Sequence, residues 1–89
     1  MIFMEWDTMI NGQVIELSRM ENIMLNLIIE NKEKVTTYQE ICFRVFAKQM
    51  EKSEYDSIIH VMLSLRKKLK GVLDIFSIRG RGYCLYEYW

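Results

Sequence analysis

The sequence contains no proline, only four glycines, two cysteines and one histidine in 89 residues. Without proline, a glycine-rich tract or an internal repeat, no linker is recognisable, and we expect residues 1–89 to form a single domain. Two domains in a chain of this length would each have too little core. Cys42 and Cys84 lie inside apolar periodic runs, which favours two reduced core thiols; a disulfide or redox pair is the alternative.

Long apolar runs and catalytic constellations are also missing. No stretch of about 18 apolar residues occurs, which argues against a membrane span. The segment from Met1 to Asp7 lacks the basic flank of a signal peptide, so we expect a cytoplasmic protein without a membrane partner. His60 has no cysteine or carboxylate at ligand spacing, and no paired carboxylates, nucleophile–base set or phosphate loop is present. We therefore expect no metal, no cofactor and no enzymatic activity.

Charge is balanced overall but unevenly distributed along the chain. The formal net charge at pH 7 is zero. Residues 1–56 carry six lysines and arginines against ten acidic residues, whereas residues 57–89 carry six against two. A chain with an acidic first part and a basic last part suits a module that presents one face to a polyanion.

Both ends of the chain show the two-residue alternation of β-strands. The alternation within residues 2–17, interrupted by Asn11-Gly12, predicts a small antiparallel sheet with a tight hairpin, because both turn residues tolerate positive φ. Alternation returns after Asp74, and residues 75–86 around Gly80–Gly82 predict a second hairpin. Between the two hairpins the period changes to that of helices, which predicts an α+β fold.

Three helix starts are recognisable between the hairpins. Ser18–Glu21 and Thr37–Glu40 have the pattern of capping boxes, and Ser53–Asp56 is a looser third cap. Apolar residues at helical spacing follow each start. The predicted core consists of Leu17, Ile23, Leu27, Ile41, Val45, Ile58, Met62, Leu65, Leu69 and Ile78.

Two correctly spaced motifs carry a resemblance to a known family. These are Leu-Arg-Lys-Lys-Leu at 65–69 and Ser-Ile-Arg-Gly-Arg-Gly-Tyr at 77–83, supported by the segment 34–41 and by Val45-Phe46. From about Asn11 to Leu85 the chain resembles the OmpR/PhoB-type winged-helix DNA-binding domain, the effector domain of response regulators. No receiver domain precedes the motifs in these 89 residues, so we expect a free-standing effector domain.

The resemblance implies a winged helix-turn-helix and a bacterial or phage transcription regulator that binds double-stranded DNA. The recognition helix, about 54–69, would lie in the major groove, and the wing, about 75–86, at the minor groove. Glycines at 80 and 82 allow a tight tip, and a narrow minor groove attracts an inserted arginine such as Arg79.

Polar residues opposite the apolar stripe of the third helix are suited to base edges or phosphates, and cations suit the C-terminal end of a helix. The start of the second helix offers amides to a phosphate, although capping alone explains Thr37 equally well. The predicted DNA-binding residues are Thr37, Tyr38, Ser57, His60, Ser64, Arg66, Lys67, Lys68, Ser77, Arg79 and Arg81. Tyr83 is predicted to be structural, beneath the wing.

The recognition helix departs from the family pattern. Asp56, Leu63 and Ser64 stand where the family usually has basic residues, and Ile59 and Leu63 add apolar surface outside the stripe. Such surface suits either thymine methyl groups or a protein partner, and we predict Ile59 and Leu63 as partner-binding residues. The alternative function is therefore a protein-interaction module, a co-regulator or antagonist of another transcription factor or of a polymerase subunit. A homodimer is a further candidate partner.

Overall fold

The computed structural model describes residues 8–10 and 12–86. In this part of the chain the elements are β1 (Thr8–Ile10), β2 (Gln13–Ile15), α1 (Arg19–Glu30), β3 (Thr36–Thr37), α2 (Tyr38–Phe46), α3 (Lys52–Lys68), β4 (Asp74–Ile78) and β5 (Gly82–Tyr86). The predicted α+β order of sheet, three helices and terminal hairpin is confirmed. None of these helices is long and apolar enough to cross a membrane.

The first hairpin turns where the Asn-Gly pair predicted. β1 and β2 pair antiparallel, and Gly12 has a φ of 79°. The second strand is shorter than predicted, because it ends at Ile15 and the chain then approaches α1 through the buried Leu17. The part of the predicted sheet before Thr8 lies outside the described residues.

The first two helices begin at the predicted capping boxes. The Glu21 amide donates to Ser18 Oγ over 3.2 Å, and the Ser18 amide donates to Glu21 Oε1 over 2.8 Å. The corresponding distances between Thr37 and Glu40 are 3.1 and 3.3 Å. Each box satisfies two backbone donors that a helix start otherwise leaves free.

The predicted start of the third helix is wrong by two residues. α3 begins at Lys52 with Glu51 as its N-cap, and the Glu51 amide donates to Glu54 Oε1 over 3.1 Å. Glu54 is the better reach-back residue because its side chain is one methylene longer than that of Asp56. Lys48, at 3.2 Å, and the Ser53 hydroxyl, at 2.7 Å, also bind the Glu54 carboxylate.

A single apolar core lies between the helices and the C-terminal sheet. Seven of the ten predicted members are buried: Leu17, Leu27, Ile41, Ile58, Met62, Leu65 and Leu69. Ile23, Val45 and Ile78 are only half-buried, which corrects the prediction for them. In α1 the buried apolar positions are Met24, Leu25, Leu27 and Ile28, so its core-facing stripe is turned slightly away from Ile23.

The remaining buried apolar residues were not in the predicted core. They are Met24, Leu25, Ile28, Tyr38, Cys42, Ile75 and Tyr83. Cys42 is buried and Cys84 half-buried, and both are free thiols, in agreement with the favoured interpretation of the cysteines. The prediction of Tyr83 as a structural residue is confirmed by its 3% exposure.

A short strand that the sequence did not predict joins the wing to the helices. β3 pairs with β5, placing Thr36 opposite Tyr83 and Thr37 opposite Gly82, and the sheet order is β3-β5-β4. The backbones approach so closely that a Cβ atom at Gly82 would overlap the carbonyl of Thr36. Gly82 is therefore required for strand pairing as well as for the hairpin.

Candidate nucleic-acid interface

The recognition helix presents a polar face opposite its core stripe. Ile58, Met62, Leu65 and Leu69, the stripe, are almost fully buried. The predicted contact residues on the opposite face, Ser57, His60, Ser64 and Lys67, are all exposed. With 3.6 residues per turn, these four positions lie along one side of the helix. α3 therefore exposes a polar face opposite its apolar stripe.

Cations surround the C-terminal end of α3. Arg66, Lys67 and Lys70 are exposed, and none of the ion pairs among the described residues involves them. Positive charge is favourable at this end of a helix because the carbonyl dipoles are unpaired there. The charges of Arg66, Lys67 and Lys70 are therefore available to an external anion such as phosphate.

Lys68 differs from its neighbours because it has a partner inside the domain. Its Nζ lies 2.7 Å from Oε1 of Glu21, a carboxylate whose side chain is only 3% exposed. Burial opposes ionisation of Glu21, but the Lys68 ammonium and the Ser18 amide outweigh it and hold the pKa of Glu21 below its ordinary value of 4.5. The pair connects α1 with the end of the recognition helix, so Lys68, one of the predicted DNA-binding residues, already has an ion-pair partner within the domain.

Two arginines lie at the tip of the second hairpin. The wing is defined as residues 74–86, in which β4 and β5 flank the tip 79–81. Gly80 has a φ of 75°, and the Arg81 amide donates to the Ile78 carbonyl over 2.9 Å. Arg79 and Arg81 are exposed, as is Ser77 on β4, and neither arginine belongs to an ion pair among the described residues.

Aromatic packing holds the wing against the helices. The Tyr38 ring meets the rings of Tyr55 and Tyr83 edge-on, at centroid distances of 5.0 and 5.5 Å. Burial, together with the neighbouring Tyr38, raises the pKa of Tyr83 above its ordinary value, so the hydroxyl remains neutral. The Tyr38 amide donates to the Arg81 carbonyl over 3.2 Å, which ties the tip of the wing to the start of α2.

Two of the predicted phosphate ligands, Thr37 and Tyr38, make contacts within the domain. The Tyr38 ring is 6% exposed and its amide is already bonded, so Tyr38 positions the wing instead of offering donors to DNA. The Thr37 hydroxyl and amide are hydrogen-bonded to Glu40, as in a capping box. The Thr37 side chain therefore caps α2.

The two predicted partner-binding residues occupy different environments. Ile59 is half-buried and packs against the core, so only part of its side chain is open to a partner. Leu63 is 57% exposed and lines a cleft of about 670 Å³ between α3 and β4, together with Arg66, Lys67 and the 44% exposed Phe76. The basic end of α3 and β4, the first strand of the wing, therefore lie side by side across this cleft.

The sequence analysis did not predict one exposed apolar surface, which lies around Phe43 on α2. Phe43 on α2 is 70% exposed beside a groove of about 680 Å³ that Leu27, Arg44 and Met50 also line. The sequence position of Phe43 could have indicated this exposure. It lies two residues from both Ile41 and Val45, and residues two apart on a helix point in different directions. In the described part of the chain no group of three or more His, Cys, Asp or Glu side chains is arranged to hold a metal ion.

Comparisons with known proteins extend this description. A family model described as transcriptional regulatory protein, C terminal, matches residues 12–85. The DNA-binding domain of CpxR from E. coli superposes with a TM-score of 0.76 at 25% identity, covering 90% of this chain and 81% of that one. The DNA-binding domain of Bacillus subtilis CssR gives 0.72 at 25% identity, covering 85% and 84%.

A third structure supports the fold alone, because its sequence identity is lower. The Klebsiella pneumoniae RstA DNA-binding domain, solved in complex with the RstA box, has a TM-score of 0.73 at 19% identity and covers 89% of this chain and 81% of that one. No curated protein sequence matches the chain.

Proposed function

The chain belongs to the transcriptional regulatory protein C-terminal family, the OmpR/PhoB type, and from this premise we propose that it prefers particular sequences of double-stranded DNA. The family is one of transcription regulators and not of enzymes. The family match supports duplex DNA as the partner, and the RstA domain, which shares this fold, was solved in complex with the RstA box. A regulator of this kind acts in the cytoplasm of a bacterial cell, where the DNA is.

The observation that carries the proposal is that the basic end of α3 and the first strand of the wing line one cleft, and that both elements expose polar surfaces. One is the face of α3 with Ser57, His60, Ser64 and Lys67, and the other is the wing with its tip arginines. We propose that α3 enters the major groove and that Arg79 enters the adjacent minor groove. The major groove admits a helix and displays a distinct pattern for each base pair, whereas the narrow minor groove concentrates negative potential.

The experiment is a pair of arginine substitutions measured on the same duplex at several salt concentrations. Arg79→Ala is expected to weaken binding by roughly 1–3 kcal/mol. A salt slope reduced by about one unit would indicate that Arg79 acts mainly on the DNA backbone, whereas an unchanged slope with a changed sequence preference would indicate reading of the minor-groove shape. Arg44→Ala is the matched control, because Arg44 is also exposed but lies on α2 beside Glu30, at 3.8 Å. Its binding should equal that of the wild type.

A urea unfolding measurement shows whether weaker binding of Arg79→Ala comes from the loss of a DNA contact or from unfolding of the protein. An exposed tip arginine contributes about 0.5 kcal/mol or less to stability, so the Arg79→Ala variant should unfold in urea close to the wild-type midpoint. If this variant is folded and binds DNA as the wild type does, the wing is not a DNA-reading element in this protein.

A second candidate function has its own observation. The groove beside Phe43 offers apolar surface to a protein, and the zero net charge limits attraction to DNA. A winged-helix interaction module, acting on another transcription factor or a polymerase subunit, would use this surface. Binding that requires Phe43 and shows no salt-dependent affinity for DNA would favour this alternative.

We also propose that useful occupancy of DNA requires two copies or a partner. The recognition face carries no arginine, so few strong base contacts are available to a single domain. Duplexes with tandem or palindromic half-sites should bind far more tightly than single half-sites, through effective concentration. Tight binding of a monomer to one half-site at physiological salt would contradict this proposal.

A further inference from the structure

Leu63 is an exposed leucine on the recognition helix that folding does not require. It precedes Lys67 by four positions and follows His60 by three, so it lies on the same side of α3 as these polar residues. Its side chain is 57% exposed, while the core stripe of the helix is complete without it. A leucine here leaves apolar area in water with no gain in core packing.

The chemistry of the surrounding face defines what Leu63 suits. The exposed side chains three or four positions from Leu63 are His60, Arg66 and Lys67. Arg66 and Lys67 lie at the C-terminal end of the helix, where cations suit phosphates, so the stretch from Asp56 to Ser64 has no arginine to make the bidentate contact to guanine. In the major groove the C5 methyl of thymine is the one apolar group that bases display. An exposed aliphatic side chain such as Leu63 can pack against that methyl group. It cannot form a hydrogen bond with the donors and acceptors of the base edges.

We propose that Leu63 selects thymine by packing against its C5 methyl group, an inference that rests on the proposed DNA-binding function. The other apolar candidates are less suitable. Ile59 is half-buried against the core, and Phe76 lies on β4, outside the helix. Leu63 is therefore the residue whose removal should change which base is preferred.

The experiment begins with a duplex selected by the wild-type protein from a random-sequence library. Each thymine of that duplex is then replaced singly by deoxyuridine, which removes the C5 methyl and preserves the base pair. Replacement of one particular thymine in each half-site should lower the affinity of the wild-type protein about fourfold. This is the value expected when one methyl-sized group is no longer buried on binding. The Leu63→Ala variant should bind the thymine and uracil duplexes equally.

A matched control and the opposing results make the test decisive. Phe43→Ala removes an even more exposed apolar side chain from another helix and should retain the preference for thymine. If the wild type binds the selected duplex but no uracil replacement weakens it, or if Leu63→Ala retains the preference, the inference is overturned while DNA binding stands. If no duplex is selected at any salt concentration, the proposed function fails and the inference with it.

Discussion

The ion pair between Glu21 and Lys68 gives a sharp prediction about the support of the recognition helix. Lys68→Met keeps the aliphatic stem of the lysine and removes its charge, and Glu21→Gln keeps an oxygen for the Ser18 amide and removes the carboxylate charge. A cycle of the two single variants and the double variant therefore isolates the interaction between the charges.

The magnitude follows from the burial of the two partners. The Glu21 side chain is 3% exposed and that of Lys68 is 39% exposed. Removing one partner of a fully buried pair costs about 3–5 kcal/mol, but solvent screens the partly exposed ammonium and lowers this value. We expect a coupling of about 1–2 kcal/mol, with Lys68→Met the most destabilised member because it leaves a buried carboxylate without its cation.

The pH dependence provides an independent measurement of the same pair. Because the pKa of Glu21 is lowered in the folded protein, its contribution is fully present above the ordinary value of 4.5 and is lost as pH falls through the lowered pKa. Urea unfolding between pH 3 and 7 should therefore show a steeper acid loss for the wild type than for Glu21→Gln. A coupling below about 0.3 kcal/mol, with identical acid limbs, would refute this reasoning.

Further predictions concern stability and the role of single cations. Leu65→Ala should lower the free energy of unfolding by roughly 2–5 kcal/mol, because Leu65 is fully buried; a urea melt showing a loss under 1 kcal/mol would place it outside the core. Ala47→Gly should raise stability by about 0.5–1 kcal/mol, since Ala47 closes α2 in the left-handed region with a φ of 57°; an unchanged midpoint would show that this backbone is not strained. Lys67→Met should weaken DNA binding and its salt slope more than Lys68→Met does, measured on folded protein; the reverse order would mean that Lys68 leaves Glu21 to bind phosphate.

Local signals predicted much of the fold. Ser18 and Thr37 marked helix starts correctly because a capping box is contained within four residues, and the glycines of both hairpins marked turns for the same reason. The start of α3 was missed because its N-cap, Glu51, and the reach-back residue Glu54 resemble ordinary charged positions. β3 was missed because two residues show no periodicity, and its existence depends on pairing with β5.

The exposure of the candidate DNA-binding side chains could be predicted from the sequence, but the packing that holds the wing and α3 in place could not. Exposure of Arg66, Lys67, Arg79 and Arg81 agrees with the sequence pattern, because cations outside an apolar stripe usually remain in water. The burial of Tyr38 could not be predicted, since its partners Tyr55 and Tyr83 are distant along the chain. The same holds for Glu21, whose partner Lys68 lies 47 positions away.

The central claim is that this chain binds duplex DNA through phosphate contacts from α3 and the wing. The most direct measurement is the affinity of the wild-type protein for its selected duplex as a function of salt concentration. Arg66, Lys67, Lys70, Arg79 and Arg81 are exposed and outside the described ion pairs. If most of them contact phosphates, the logarithm of the binding constant should fall with the logarithm of salt with a slope of about −3 to −4.5. No binding at low salt, or a slope near zero, would contradict the claim.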